Sequence, residues 1–193
     1  MALLRDGSVV SWGTYKDAGG TLGFSESVDV QREPLRLEGL PTVRHVACGA
    51  NHSLAVTMRG TLYAWGCGEQ GALGCRLLTS RPKAKLLPTQ PLALRRGRAS
   101  LPVVSAAAGA YHSLALTADG EVWAWGLNNY GQLGCGGFAN TTTPQPVPAL
   151  RGLRVEQLDG GEHHSPARMC KRAVPCPLGA GTAHHPGLRA SRG

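Results

Sequence analysis

The sequence predicts an all-β fold, an incomplete β-propeller of four-stranded antiparallel blades, and three observations predict it. Trp-Gly dipeptides recur at 12–13, 65–66 and 125–126, each followed by a Leu-Gly. The stretches between these landmarks are strand-sized, apolar and β-branched or aromatic. Turn residues, including Asp119-Gly120, stand between them where hairpins need them. A period above 50 residues marks an array of supersecondary units that bury their faces only against each other. Such arrays recognise partners, and insertions that break the period mark where recognition sits.

The unit has three landmarks. Gly-x-x-His-Ser occurs at Gly49/His52/Ser53, Gly109/His112/Ser113 and Gly161/His164/Ser165. From its Gly to the Trp-Gly Gly is 17 residues in both complete cases, and from there to the Leu-Gly Gly is 8. TVRHVACG (42–49) and PVVSAAAG (102–109) supply a first strand. NHSLAVT (51–57) and YHSLALT (111–117) supply a second, and GTLYAWG (60–66) and GEVWAWG (120–126) a third. A further strand completes each sheet of about four. One face carries Leu and Val, the other Ser, Ala and Thr, as expected when both faces pack on neighbouring blades. The four tryptophans, Trp12, Trp65, Trp123 and Trp125, are expected to fill gaps between blades. The repeated His is expected to hydrogen-bond to backbone at a strand end.

The expected organisation is a partial propeller over 1–165: a blade remnant over 1–40, full units over about 41–100 and 101–150, and the start of a further blade over 151–165. Counting 17 from Gly161 asks for Trp-Gly at 177–178, where Pro177 and Leu178 stand. The segment 166–193 has five Lys/Arg, no acid and no periodicity, and is expected to be a disordered, aberrant tail from an altered reading frame or an unspliced stretch. Two full units and parts of two more leave an open arc with exposed apolar faces and strand edges.

No run of about 18 apolar residues occurs, so no transmembrane helix and no membrane partner are expected. Asp6 comes too early for a secretory signal, and the chain is expected to be intracellular. None of the six cysteines forms a CxxC, and they are expected as packing thiols rather than disulfides. His163, His164, Cys170, Cys176, His184 and His185 fit no compact tetrahedral spacing, so no metal site is expected. Gly66-Cys67-Gly68-Glu69-Gln70-Gly71 satisfies a dinucleotide fingerprint, but no helical pattern follows and the turn recurs at 126–131 with Asn128 in place of Gly68. It is a repeat turn that needs left-handed backbone. No catalytic constellation or cofactor site accompanies a landmark, so neither an enzyme nor a small-molecule substrate is expected.

The net charge is +8, unevenly placed. Removing the tail's five bases from 20 leaves 15 Lys/Arg against 12 Asp/Glu, or +3, in residues 1–165. No acid occurs between Gln70 and Ala118, and all bases there lie from Arg76 to Arg98. Such a stretch fits an anionic partner or a solvated mobile loop, and charge alone does not choose.

GANHSLAVTMRGTLYAWGCGEQGALG and GAYHSLALTADGEVWAWGLNNYGQLG resemble the repeats of the regulator of chromosome condensation family, which includes the guanine-nucleotide exchange factor for the small GTPase Ran. The resemblance covers roughly residues 3–165 and implies a fragment of a seven-bladed propeller. Two breaks in the period carry the functional implication. Gly13 to Gly23 is 10 residues where the other units have 8, and Asp-Ala-Gly-Gly there suits a protruding hairpin. In the family a wedge at this place pushes against the nucleotide site of Ran, which implies Tyr15, Lys16, Asp17, Ala18, Gly19 and Gly20 here. Gly23 to Gly49 is 26 residues and Gly134 to Gly161 is 27, but Gly74 to Gly109 is 35. The family has a long basic loop there that meets the histone surface, which implies Arg81, Lys83, Lys85, Arg95, Arg96 and Arg98 as chromatin contacts. Asn51 stands where the family has a Ran-facing acid, and His164 matches a Ran-facing His. The resemblance thus implies an exchange factor for Ran, not an enzyme of bond chemistry. Its implied partners are Ran, histones or the nucleosome, and DNA, and its implied place is chromatin in the nucleus. A propeller scaffold for protein–protein interaction and an inactive fragment are the alternatives.

Overall fold

The computed structural model describes residues 1–25, 27–75 and 91–169, without the side chains of Asp17 and Pro91. Strands β1 (Ala2–Leu3), β2 (Val9–Gly13) and β5 (Gln31–Arg36) form the first blade's three-stranded sheet. Between β2 and β5 runs a separate two-stranded hairpin, β3 (Tyr15–Asp17) with β4 (Gly20–Gly23). The second blade orders β6 (Val43–Cys48), β7 (His52–Thr57), β8 (Leu62–Gly66) and β9 (Pro91–Leu92). A short hairpin of β10 (Arg95–Arg96) and β11 (Ala99–Ser100) follows. The third blade orders β12 (Val103–Ala108), β13 (His112–Thr117), β14 (Val122–Gly126) and β15 (Thr141–Pro146). β16 (Val155–Leu158) pairs with β17 (Ala167–Met169). All pairings among the described residues are antiparallel. The helical elements there are two 3₁₀ turns, Glu69–Gly71 and Pro148–Leu150.

Every residue of β7, β8, β13 and β14 is buried, because both faces of each blade are covered. Alternation along a strand sends successive side chains to opposite neighbours. In the third blade Ala115, Trp123 and Trp125 face back into a core shared with Leu54, Val56, Leu62 and Leu73 of the second. Leu114, Leu116, Val122 and Ala124 face forward into a core with Val155 and Leu158. Register explains the small face: Ser113 lies opposite Trp125 and Ala115 opposite Trp123, so small side chains leave room for the indoles. Ser53 and Ala55 lie likewise opposite Trp65 and Tyr63.

The blades converge on their innermost strands. A Cβ on Gly49 would overlap the His52 ring and the Gly109 carbonyl oxygen, and one on Gly109 would lie 2.6 Å from the Gly161 carbonyl. Crowding between neighbouring blades therefore requires the repeated glycine. Ala50 N–H donates to Ala110 O and Ala110 N–H to Gly161 O, both at 3.3 Å, stitching successive blades together.

Two expectations are adjusted. Trp65 and Trp125 are fully buried against the preceding blade, but Trp12 is 45% exposed, since no described blade stands on its side. The last pairing runs past Ser165, because Ala167–Met169 continues as β17 where a tail was expected. Residues 170–193, the rest of the expected tail, lie outside the described residues.

Candidate functional site

The repeated Gly-x-x-His-Ser builds a relay across the two seams that follow the second and third blades. His52 Nε2 lies 2.9 Å from Ser113 Oγ of the next blade, and Ser113 donates to the Ala72 carbonyl at 2.8 Å. His112 Nε2 lies 2.8 Å from Ser165 Oγ, and Ser165 donates to the Gln132 carbonyl at 2.6 Å. The serine's single proton is used on the carbonyl, so the imidazole must donate from Nε2. Burial, with His112 nearby, lowers the pKa of His52 to about 4. Burial, with His164 and His163 nearby, lowers that of His112 to about 4. These His–Ser pairs are not nucleophile–base pairs: the hydroxyls hold carbonyls. The expected backbone partner of the His is therefore replaced by a serine on the next blade. The pairing was legible only as a repeated Ser after the His.

The strands' two ends define two rims. At one lie the turns after β1, β7 and β13. At the other lie the Gly-x-x-His segments and the β3–β4 hairpin. The rims differ in charge. Among the described residues the turn rim carries nine exposed arginines, namely Arg5, Arg36, Arg44, Arg59, Arg95, Arg96, Arg98, Arg151 and Arg154. The acids there are Asp6, Glu38, Asp119, Glu121 and Glu156, the last in the register position of Arg44 and paired with Arg168. The His rim carries Asp29, Glu69, Asp159 and Glu162 against Lys16 and Arg32, with Asp17 in the hairpin backbone.

The hairpin occupies the place where the period has its two-residue surplus. Tyr15 pairs with Gly23, Lys16 with Thr21 and Asp17 with Gly20, leaving Ala18 and Gly19 as the turn. Lys16, Ala18, Gly19 and Gly20 are exposed, whereas Tyr15 is buried between the first and second blades. Asn51 stands at the same rim, where its carbonyl accepts from Cys67 N–H at 2.6 Å. Gly66 closes that turn with φ +102°, and a Cβ on it would press the Asn51 carbonyl. His164 is exposed at the rim of the last sheet, unlike its counterparts His52 and His112, and neighbouring His163 rests on the Tyr130 ring.

Strand register shows that the basic surplus is two insertions. Arg36, Pro91 and Pro146 are equivalent, since they pair with Val10, Tyr63 and Trp123, the second residues of β2, β8 and β14. Gly74 to Pro91 exceeds Gly134 to Pro146 by five residues, 17 against 12, and Pro91 to Val103 exceeds Pro146 to Val155 by three, 12 against 9. Arg81, Lys83 and Lys85 fall in the first and lie outside the described residues. Arg95, Arg96 and Arg98 fall in the second, the β10–β11 hairpin on the turn rim. Arg96 is already engaged there, 3.0 Å from Asp119 and 2.5 Å from Glu121, and Glu121 also meets Arg151 at 3.9 Å. Arg95 and Arg98 are exposed beside it. No group of three or more potential metal ligands occurs among the described residues.

The RCC1-like domain family model matches residues 1–187. The chain is 39% identical over 169 residues to protein pim1 of Schizosaccharomyces pombe, covering 85% of this chain and 30% of that protein. It is 32% identical over 171 residues to guanine nucleotide exchange factor SRM1 of Saccharomyces cerevisiae, covering 85% and 34%. It is 34% identical over 173 residues to human E3 ubiquitin-protein ligase HERC2, covering 86% and 3%. The solved Prp20p of Saccharomyces cerevisiae, described with its binding to Gsp1p and histones, superposes with a TM-score of 0.75 at 30% identity, over 87% of this chain and 38% of that one. The chain thus spans about a third of pim1 and SRM1. The chain belongs to the RCC1-like domain family, and its fold is part of that family's β-propeller.

Proposed function

We propose that this chain carries the exchange surface of a guanine-nucleotide exchange factor for Ran that acts at chromatin in the nucleus, without making or breaking a covalent bond. The observation that carries the reading is the β3–β4 hairpin standing out at the His rim where the repeat has its surplus. The names of SRM1, an exchange factor, and of Prp20p with Gsp1p and histones support it.

The mechanism is differential affinity. A surface that binds the nucleotide-free GTPase better than the loaded one shifts the population toward release. Lys16 and Asp17 supply polar contacts, and Gly19 and Gly20 permit close backbone approach. Asn51, neutral, and His164 extend the same face, and its acids complement a basic partner. The turn rim supports a second contact with an anionic partner, histone acidic surface or DNA phosphate. Arg95 and Arg98 are its candidates there, and Arg96 fixes the hairpin that carries them; Arg81, Lys83 and Lys85, outside the described residues, are further candidates for the same partner. That contact should weaken steeply with salt.

Fluorescent-nucleotide release from loaded Ran tests the reading. Deleting Lys16–Gly20 should abolish stimulated release while the propeller stays folded by circular dichroism. Equal release with and without the hairpin would refute it. The similarity to HERC2 favours a second reading, a scaffold without exchange activity, which that outcome would support.

A further inference from the structure

We infer that Glu69 is a positioning residue that latches the tip of the β3–β4 hairpin to the second blade. Its consequence for exchange rests on the proposed function; the latch itself does not. Ala18 opens the two-residue turn, so its N–H has no partner in the hairpin's own ladder. That N–H points instead at the Glu69 carboxylate, 3.2 Å from one oxygen and 3.3 Å from the other. A carboxylate is a strong acceptor for such an orphan donor.

The base of the latch is braced. Glu69 opens the turn Glu69–Gly71, whose central Gln70 is the one non-glycine residue with positive φ, 59°, among the described residues. Gln70 Oε1 accepts from Asn140 Nδ2 of the third blade at 3.0 Å, and Asn140 Oδ1 accepts from Asn128 N–H at 2.8 Å. One turn therefore reaches back to the hairpin and forward to the next blade. The hairpin's root is held as well: the Tyr15 hydroxyl lies 3.4 Å from Ser53 Oγ inside the first seam. Held at root and tip by a blade that is not its own, the hairpin is oriented before any partner arrives, and a preordered contact avoids the entropy of ordering on binding. Asn129 takes the place of Glu69 in the following unit, which has no such hairpin to hold.

Glu69→Ala and Glu69→Gln in the full chain test this. Hydrogen exchange at the Ala18 amide should speed up about tenfold in Glu69→Ala and stay slow in Glu69→Gln, whose amide oxygen still accepts. In Ran release assays Glu69→Ala should raise the half-saturating concentration several-fold with kcat little changed, and Glu69→Gln should restore it. Unchanged Ala18 exchange in Glu69→Ala would overturn the latch. Faster Ala18 exchange with unchanged release, while deletion of Lys16–Gly20 still abolishes release, would overturn its positioning role. If that deletion leaves release intact, the exchange reading fails instead, and the Ala18 amide alone decides the latch.

Discussion

The two seams flanking the second blade are built from the same repeat yet close differently. In the seam with the third blade, the Ala72 carbonyl accepts from both Ser113 Oγ and Trp125 Nε1, each at 2.8 Å. In the seam with the first blade the equivalent backbone position is Thr21, which the hairpin has drawn into a pair with Lys16. The Tyr15 hydroxyl stands there instead, beside Ser53. The Trp65 indole N–H, though fully buried, meets no carbonyl and makes no hydrogen bond of ordinary geometry, only an approach to the Tyr15 hydroxyl. The insertion that forms the β3–β4 hairpin has therefore displaced an acceptor from the interior, and a side chain of the hairpin itself, Tyr15, occupies the gap. A buried donor left unpaired costs about 1–3 kcal/mol. The seam with the third blade carries one as well, the Trp123 indole N–H. What separates the seams is therefore whether the Trp-Gly indole finds a carbonyl, which Trp125 does and Trp65 does not.

The largest test of that contrast is Trp125→Ala, which removes a fully buried indole together with its bond to Ala72. It should cost about 3–5 kcal/mol in chemical denaturation. Next comes pH. His52 and His112 have folded pKa values of about 4, below the ordinary 6.5. Their neutral forms favour the fold fully above 6.5, and that contribution is lost as pH falls from 6.5 toward 4, because only the unfolded chain takes up the protons freely. His52 alone accounts for about 3 kcal/mol, and a denaturation series from pH 7 to 4 should show the slope flatten in His52→Gln. A finer comparison is Trp65→Phe against Trp125→Phe. Both shrink the ring equally, but only the second loses a hydrogen bond, so it should cost about 1 kcal/mol more. Equal losses would remove the distinction between the seams. The smallest effect is Tyr15→Phe, expected to destabilise by about 0.5–1 kcal/mol. Burial raises the Tyr15 phenol above its ordinary value, so alkaline absorbance titration of the native chain should lose a late-titrating component in Tyr15→Phe.

Much of this was legible in the sequence. The Trp-Gly and Gly-x-x-His-Ser landmarks located β7, β8, β13 and β14, since alternation and hairpin turns are local properties. The surplus at 13–23 located the hairpin, because a broken period is visible without coordinates. Three things were not legible. The division of the basic surplus needed strand register, which depends on pairing Pro91 with Tyr63 rather than on any local pattern. The engagement of Arg96 with Asp119 and Glu121 joins residues more than 20 positions apart that the fold alone brings together. The exposure of Trp12 depends on which face has a neighbour, and its dipeptide is identical to the two that are buried.

The sequence by itself determined the repeat, its strands and turns, and where the period breaks, because these rest on local periodicity and on residues such as glycine whose allowed backbone is a property of one position. Only the tertiary structure decided that burial keeps His52 neutral as it donates to Ser113, that Tyr15 takes the place of a carbonyl beside Ser53, and that Glu69 meets Ala18. Each of those joins separate blades, and the burial and geometry that fix them exist only once the blades are packed side by side.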